Sequence, residues 1–281
     1  MSEQRALAVN GRKTDVLAFT PFVKAWQYRE LIRAILWREL MQRFRDSYFS
    51  WGWAIAAPLV MLGAYTVVFS STLKISDSTS AGVAHFSLVM FVGLLVFNLA
   101  AELVYRAPTL LHEHVHYIKK SIFPSETLVW IALLRALVYA GISFAVFLVF
   151  KLALTGSIPL TTLLLPLLIV PFCLMMLGMT WFLAALGAFT RDVSHLMITI
   201  VPVLIFATPV FYTTADLTPT ARLIAYLNPT TAYIEMAREI LLVGTLPNPL
   251  MYLATAVVSL FIFYGGYLFF ERYRSVVVDV I

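Results

Sequence analysis

Five stretches of this 281-residue sequence contain no Asp, Glu, Lys or Arg: 47–73, 78–101, 152–190, 193–215 and 240–270. Each can supply the roughly 20 apolar residues that carry a helix across a hydrocarbon layer about 30 Å thick. A sixth stretch, 127–150, is interrupted only by Arg135. With 61% hydrophobic residues and 12% charged ones, the chain cannot cover such segments with a water-facing surface, which leaves a polytopic membrane protein. Solid apolar blocks, in place of alternating ten-residue segments, favour helices over a barrel of strands. The sequence therefore predicts an all-α membrane protein with six transmembrane helices near 51–73, 84–105, 127–150, 162–189, 194–214 and 249–270.

Lysine and arginine set the orientation. Nine precede the first span, Arg106, Lys119 and Lys120 follow the second, Arg191 follows the fourth, and Arg272 and Arg274 lie in the tail. Against them stand Lys74, Lys151, Arg222 and Arg238 in the alternate loops. The excess places both termini and the 106–126 loop in the cytoplasm. The net charge of +5 follows from this asymmetry and calls for no nucleic-acid partner. The first 50 residues are polar and basic, without the pattern of a cleavable signal peptide. The lone Cys173 lies in an apolar run, reads as a packing residue, and rules out an internal disulfide.

Four regions are expected: a flexible cytoplasmic lead-in over 1–27, an amphipathic interfacial helix over 28–50, the six-helix membrane domain over 51–271, and a cytoplasmic tail over 272–281. In the interfacial helix Tyr28, Leu31, Ile32, Ile35 and Leu36 share one face, whereas Trp37, Leu40, Met41, Phe44, Tyr48 and Trp51 share nearly the opposite one. The stripe changing side near Trp37 predicts a bend, or two halves with different neighbours. Arg38, Glu39, Gln42, Arg43, Arg45 and Asp46 make its polar side, suited to the inner headgroup layer. Between the fifth and sixth spans, 213–249 contains helical fragments at 218–227 and 230–243, split by Asn228-Pro229. They are too short to cross the bilayer and are predicted to be re-entrant periplasmic helices. Prolines 58, 166, 171, 202 and 209 predict kinks within spans.

The loop after the second span carries His112-Glu113-x-x-His116, the signature of zinc proteases. A zinc enzyme needs a third protein ligand, but Glu235 and Glu239 fall across the membrane by the charge count, and Asp192 adjoins Arg191. No metal site and no catalytic residue are expected, and a membrane zinc metalloprotease stands as the alternative from another class. No Gly-x-x-x-x-Gly-Lys-Ser/Thr loop occurs, so ATP and Mg belong on a separate partner subunit. Arg135, inside a span, needs a partner; Glu102 is the candidate, although Glu102 can also pair with Arg106 four residues on. Tyr65 and Phe69, one turn apart on the first span, and Phe206, Phe211 and Tyr212 on the fifth are candidate platforms for flat sugar faces. Interfacial belts and plain packing are the alternative for any one ring.

Several short segments carry a family resemblance by their order and spacing. They are Arg43-Phe44-Arg45-x-Ser47 with Trp53-Ala54 and Pro58, then Ile118-Lys119-Lys120-x-x-Phe123-Pro124-x-Glu126, then Arg191-Asp192-Val193-x-His195-Leu196. Thr208-Pro209-Val210-x-Tyr212 and Asn228-Pro229 with Arg238 complete the series. Over residues 28–275 the chain resembles the membrane subunit of bacterial ABC transporters that export polysaccharides: the permeases for O-antigen, teichoic acid and capsule. It departs at Ser50, where a glycine is expected, and at His114-Val115-His116, in place of an asparagine-rich stretch. The resemblance implies a homodimer in the bacterial inner membrane, two ATP-binding cassette subunits, and a lipid-linked polysaccharide substrate. It makes Ile118, Lys119, Lys120, Ile122, Phe123, Pro124 and Glu126 the ATPase-coupling stretch, and Trp37, Arg38, Arg43 and Arg45 part of an interfacial gate helix. It also implies a channel at the dimer interface lined by the first and fifth spans. A drug or lipid exporter of the same fold is the nearest alternative.

Overall fold

The computed structural model describes residues 20–44, 52–72, 80–118 and 124–280, and every regular element among them is helical. Helix α1 (Thr20–Gln27) runs into α2 (Arg29–Phe44), with Ile32 N–H still donating to the Tyr28 carbonyl at 2.9 Å across the junction. Thr20–Gln27, inside the stretch expected to be a flexible lead-in, is thus helical. Helix α2 runs on unbroken through Trp37. Its inner face continues through Tyr28, Ile32, Ile35, Glu39 and Leu40, while Trp37 is 65% exposed. The apparent switch of face arose from counting Glu39 as polar and outward, when it lies in the buried stripe.

The long helices follow: α3 (Gly52–Thr72), α4 (Ser80–Arg106), α7 (Thr127–Thr155), α8 (Leu165–Phe189), α9 (Asp192–Ala207) and α12 (Pro249–Val280). A 3-10 turn at Ala107–Thr109 leads from α4 into the single turns α5 (Leu110–Glu113) and α6 (Val115–Ile118). Among the described residues four segments are long and apolar enough to cross a membrane: His85–Glu113, Thr127–Thr155, Leu160–Phe189 and Pro249–Arg274. Helices α3 and α9 are apolar as well.

The fifth predicted span is shorter than expected. It stops at Ala207 instead of 214, because Thr208 precedes Pro209 and takes an extended backbone, φ −97° and ψ 141°. Its 16 residues measure about 24 Å at 1.5 Å each. Pro209 therefore ends a helix and Pro166 starts one, whereas Pro58, Pro171 and Pro202 lie inside helices as predicted. At the other extreme α7 runs to Thr155, where Gly156 supplies the left-handed cap at φ 67°, and α12 runs ten residues past its predicted end. After α9 come α10 (Pro219–Leu227), α11 (Pro229–Arg238) and a π turn at Glu239–Val243. Asn228 caps α11 by accepting from Thr230 N–H at 3.0 Å, with Pro229 at the first helical position, so the Asn-Pro restart forms as read.

Helices α8 and α12 make the most extensive pairing in the bundle. Gly178 and Gly266 face each other's helix so closely that a Cβ on either would meet backbone of the other. Close approach through small residues is how helices gain packing energy where lipid is as apolar as the side chains. Trp181, Phe263 and Tyr267 fill the core beside them, with Trp181 centroids 5.5 Å from Phe263 and 5.1 Å from Tyr267. Gly187 rests on the backbone of Pro108, which fixes the 107–109 turn at the end of the bundle where α4, α8 and α12 finish and α7 begins.

Candidate functional site

That end of the bundle carries two ion networks. The first centres on Glu39 of α2, 8% exposed at its side chain. Its carboxylate accepts from Arg106 Nη1 at 2.7 Å and His114 Nε2 at 3.0 Å, and lies 3.6 Å from Arg135 Nη1. Arg106 also reaches Glu113 at 3.1 Å, and Arg135 reaches Glu102 at 3.1 Å. Burial alone opposes ionisation of Glu39, but hydrogen bonds from His114 and Arg106, with the charges of Arg106 and Arg135, outweigh it and hold its carboxyl down at about 2. His114 Nδ1 faces the Leu110 carbonyl at 2.9 Å, so both ring nitrogens meet oxygen atoms.

The second network joins α1 to the opposite flank of the same loop. Lys24 Nζ lies 2.9 Å from Glu126 and 3.0 Å from Glu271, and Arg274 reaches Glu126 at 3.4 Å. Burial would lower the Lys24 pKa, but its bonds to Glu126 and Glu271 dominate and raise it. Phe22 stacks on Phe263 at 5.4 Å and meets Trp130 edge-on at 5.7 Å, seating α1 between α7 and α12. The α1–α2 arm is therefore tied to both flanks of the 115–126 segment: through Glu39 to His114 before it, and through Lys24 to Glu126 after it.

A third assembly lies among α4, α11 and the chain after α9. Arg238, buried on α11, donates from Nη2 to the Val210 carbonyl at 3.1 Å and from Nη1 to the Tyr212 carbonyl and Glu235, each at 3.1 Å. Its Nε reaches the Val89 carbonyl at 3.4 Å, and Glu235 in turn accepts from Thr214 N–H at 3.0 Å. One guanidinium thus satisfies carbonyls that the early end of α9 leaves without helical partners. Gly93 makes room, because a Cβ there would come 3.2 Å from the guanidinium and 3.0 Å from Val210 Cα.

Several predicted site residues are brought together. Arg135 meets Glu102, and Phe206 meets Phe211 at 5.7 Å, with Tyr212 Oη donating to the Phe206 carbonyl at 3.2 Å. Phe206 is 67% exposed, whereas Phe211 is buried and belongs to a cluster with Met90, Leu94, Val201 and Ile234. Phe211 is thus a packing ring, while Phe206 is free to touch something else. Within the coupling stretch Ile118 is buried, and Glu126, 3% exposed, pairs with Lys24 and Arg274. Lys119, Lys120, Ile122 and Phe123 lie outside the described residues, as does Arg45, and so do the side chains of Arg43, Tyr65 and Phe69. Arg38 is exposed and stacks over the Tyr117 ring at 5.3 Å.

His112 and His116 fall in two separate one-turn helices broken at His114, so the one-helix spacing of a zinc site does not form. Among the described residues no group of three or more His, Cys, Asp or Glu gathers to hold a metal.

Glu39, His114 and Arg238 were missed as a site by sequence reasoning. Glu39 left a signal, standing four residues after Ile35 in the stripe Tyr28, Ile32, Ile35. A lone acid in an apolar stripe asks for a buried partner.

Residues 30–242 match the ABC-2 type transporter family, a span that includes the Glu39 hub, most of the long helices and Arg238. The chain is also 25% identical over 253 residues to the O-antigen export system permease protein RfbA of Myxococcus xanthus, covering 89% of this chain and 95% of that protein. With apolar helices of spanning length and a match over most of its residues, the chain belongs to the ABC-2 type transporter family, as a multi-pass membrane subunit whose ATP hydrolysis is carried by separate ATPase subunits.

Proposed function

We propose that this permease exports a polysaccharide, carried on a lipid, across the bacterial inner membrane. The observation that carries the reading is the nearly end-to-end similarity to a permease named for O-antigen export. In this reading α3 and α9 join the four longer helices as six spans, both termini are cytoplasmic, and α10 and α11 are re-entrant from the periplasmic side. Two copies form the channel, with α3 and α9 facing it, and Tyr65, Phe69 and the exposed Phe206 offer rings to passing sugars. The 118–126 stretch docks on the ATPase.

The two ion networks give this arrangement a mechanical path. A displacement of the docked stretch is passed at one flank through His114 to Glu39, and at the other through Glu126 to Lys24. Because both contacts end on the same α1–α2 arm, the arm moves with the loop, and α2 lies directly ahead of the first span. Packed, ion-paired contacts transmit such a shift, where solvated ones would dissipate it.

The test is made in cells. Deleting the gene should remove a surface glycan and leave it inside the cell, and restoring the gene should return it to the surface. Unchanged surface glycan, with a defect instead in drug efflux or in lipid transport, would overturn the polysaccharide assignment in favour of another exporter of this fold.

A further inference from the structure

Helices α7 and α8 leave between them an apolar cavity of about 130 Å³, closed at the back by α4, α11 and the π turn. Val96, Phe144, Leu168, Tyr233 and Leu241 are among its walls, and the Tyr233 hydroxyl is already bonded to Ser259 at 2.6 Å. Water entering it would find almost no polar partner. Its mouth is formed by exposed Gly141 and half-buried Leu137, Leu165 and Ile169. These residues lie on α7 and α8, both apolar helices of spanning length, so the mouth opens on hydrocarbon and not on water.

Lys151 lies on the same face of α7, since 137, 141, 144, 148 and 151 succeed each other by threes and fours. It is only 3% exposed, and its ammonium donates to the carbonyl of Leu241, itself a wall of the cavity. Among the described residues no carboxylate lies within ion-pair distance of it. A buried charge whose partner is a neutral carbonyl is costly and calls for an anion. Ten residues separate Gly141 from Lys151, about 15 Å along the helix, which is half of a hydrocarbon layer about 30 Å thick.

We propose that this cleft is a phospholipid site, with an acyl chain in the cavity and the phosphate on Lys151. The chain fills a space that is neither wet nor packed, and the phosphate supplies the charge that Lys151 lacks. Tyr233, Ala237 and Leu241 form the inner wall, so the bound lipid props α11 and the π turn against α7 and α8. The site itself rests on the cavity and on Lys151; the topology proposed above, which puts Lys151 toward the periplasm, places it in the outer leaflet, and only that placement rests on it.

The full-length protein, stripped of lipid in detergent, is titrated with dioleoyl phosphatidylglycerol, with dioleoylglycerol, which has the chains but no phosphate, and with glycerol 3-phosphate, which has the phosphate but no chains. Native mass spectrometry and the thermal midpoint report binding. Phosphatidylglycerol should bind about tenfold more tightly than dioleoylglycerol and raise the midpoint, while glycerol 3-phosphate does neither. Lys151→Gln should abolish the preference for the phosphate, and Lys151→Arg should restore it. Gly141→Leu, whose Cβ meets nothing within 4 Å, should fold and block both lipids by filling the mouth. Equal affinity of the wild-type protein for the two lipids, or undiminished phosphatidylglycerol binding by Gly141→Leu, would overturn the proposal. So would an intermolecular disulfide of Gly141→Cys in native membranes, which would assign the mouth to a second copy of the chain. Since none of these readouts involves a glycan, the lipid site and the export reading stand or fall separately.

Discussion

Replacing Glu39 by Gln removes the carboxylate on which Arg106, His114 and Arg135 converge, while keeping its size and one acceptor oxygen. The magnitude follows from linkage. The folded protein holds this carboxyl at about 2 against an ordinary 4.5, and each unit is worth about 1.4 kcal/mol, so the charged form contributes about 3 kcal/mol. Part of that survives in the variant, because Arg106 keeps Glu113 and Arg135 keeps Glu102. By the scaling of soluble domains a loss of 2–3 kcal/mol lowers a thermal midpoint by about 5–10 °C. The assay is thermal unfolding of the detergent-purified protein at neutral pH and down a pH series. A folded pKa below the unfolded one means that the stabilisation is fully present above about pH 4.5 and is lost as pH falls toward about 2. The gap between wild type and variant should therefore be constant from neutral pH to about 5 and close below 4.5. A Glu39→Gln midpoint equal to wild type at pH 7 would show that this carboxylate is solvated and that the hub does not hold α2 to the bundle.

Three further outcomes are expected. Lys24→Glu places like charges beside Glu126 and Glu271 and should uncouple transport from ATP hydrolysis, and Glu126→Lys in the same chain should recover coupling in part, as measured by export per ATP in reconstituted vesicles. Gly178→Leu drives a side chain into the backbone of α12 and should cost several kcal/mol or abolish folding, whereas Gly63→Leu, with nothing near its Cβ, should be neutral; yield of monodisperse protein separates the two. Phe206→Ala should spare the thermal midpoint, because the ring is exposed, yet slow glycan export, while Phe211→Ala should lower the midpoint by several degrees through loss of a buried ring.

The spanning helices were legible because apolar length is a property of the chain itself: α4, α8 and α12 formed where charge-free runs lay, and α7 where the run broken only by Arg135 lay. Their ends were less so. How far α12 runs past residue 270 depends on what the tail touches, whereas the stop at Ala207 is legible in Thr208-Pro209. Arg135 and Glu102 were paired correctly because a charge inside a span has few partners to choose from. Glu39 was not, since its partners come from three other segments 67, 75 and 96 positions away in the sequence, and only the fold brings them together. In the sequence Arg238 reads as one positive charge in a loop and, with Asn228-Pro229, as part of the family resemblance, without a structural role. Its role with the Val210 and Tyr212 carbonyls arises from the early end of α9, which the predicted span length had hidden.

The central claim is that the chain moves a lipid-linked polysaccharide when its ATPase partner turns over. It is tested most directly by reconstituting the permease with its ATPase subunits in vesicles and measuring transfer of purified lipid-linked glycan to the far side. ATP-dependent transfer, with hydrolysis stimulated by that glycan and by neither the bare lipid carrier nor hydrophobic drugs, is the result predicted. Hydrolysis stimulated by drugs or bare lipid, without glycan transfer, would contradict the account.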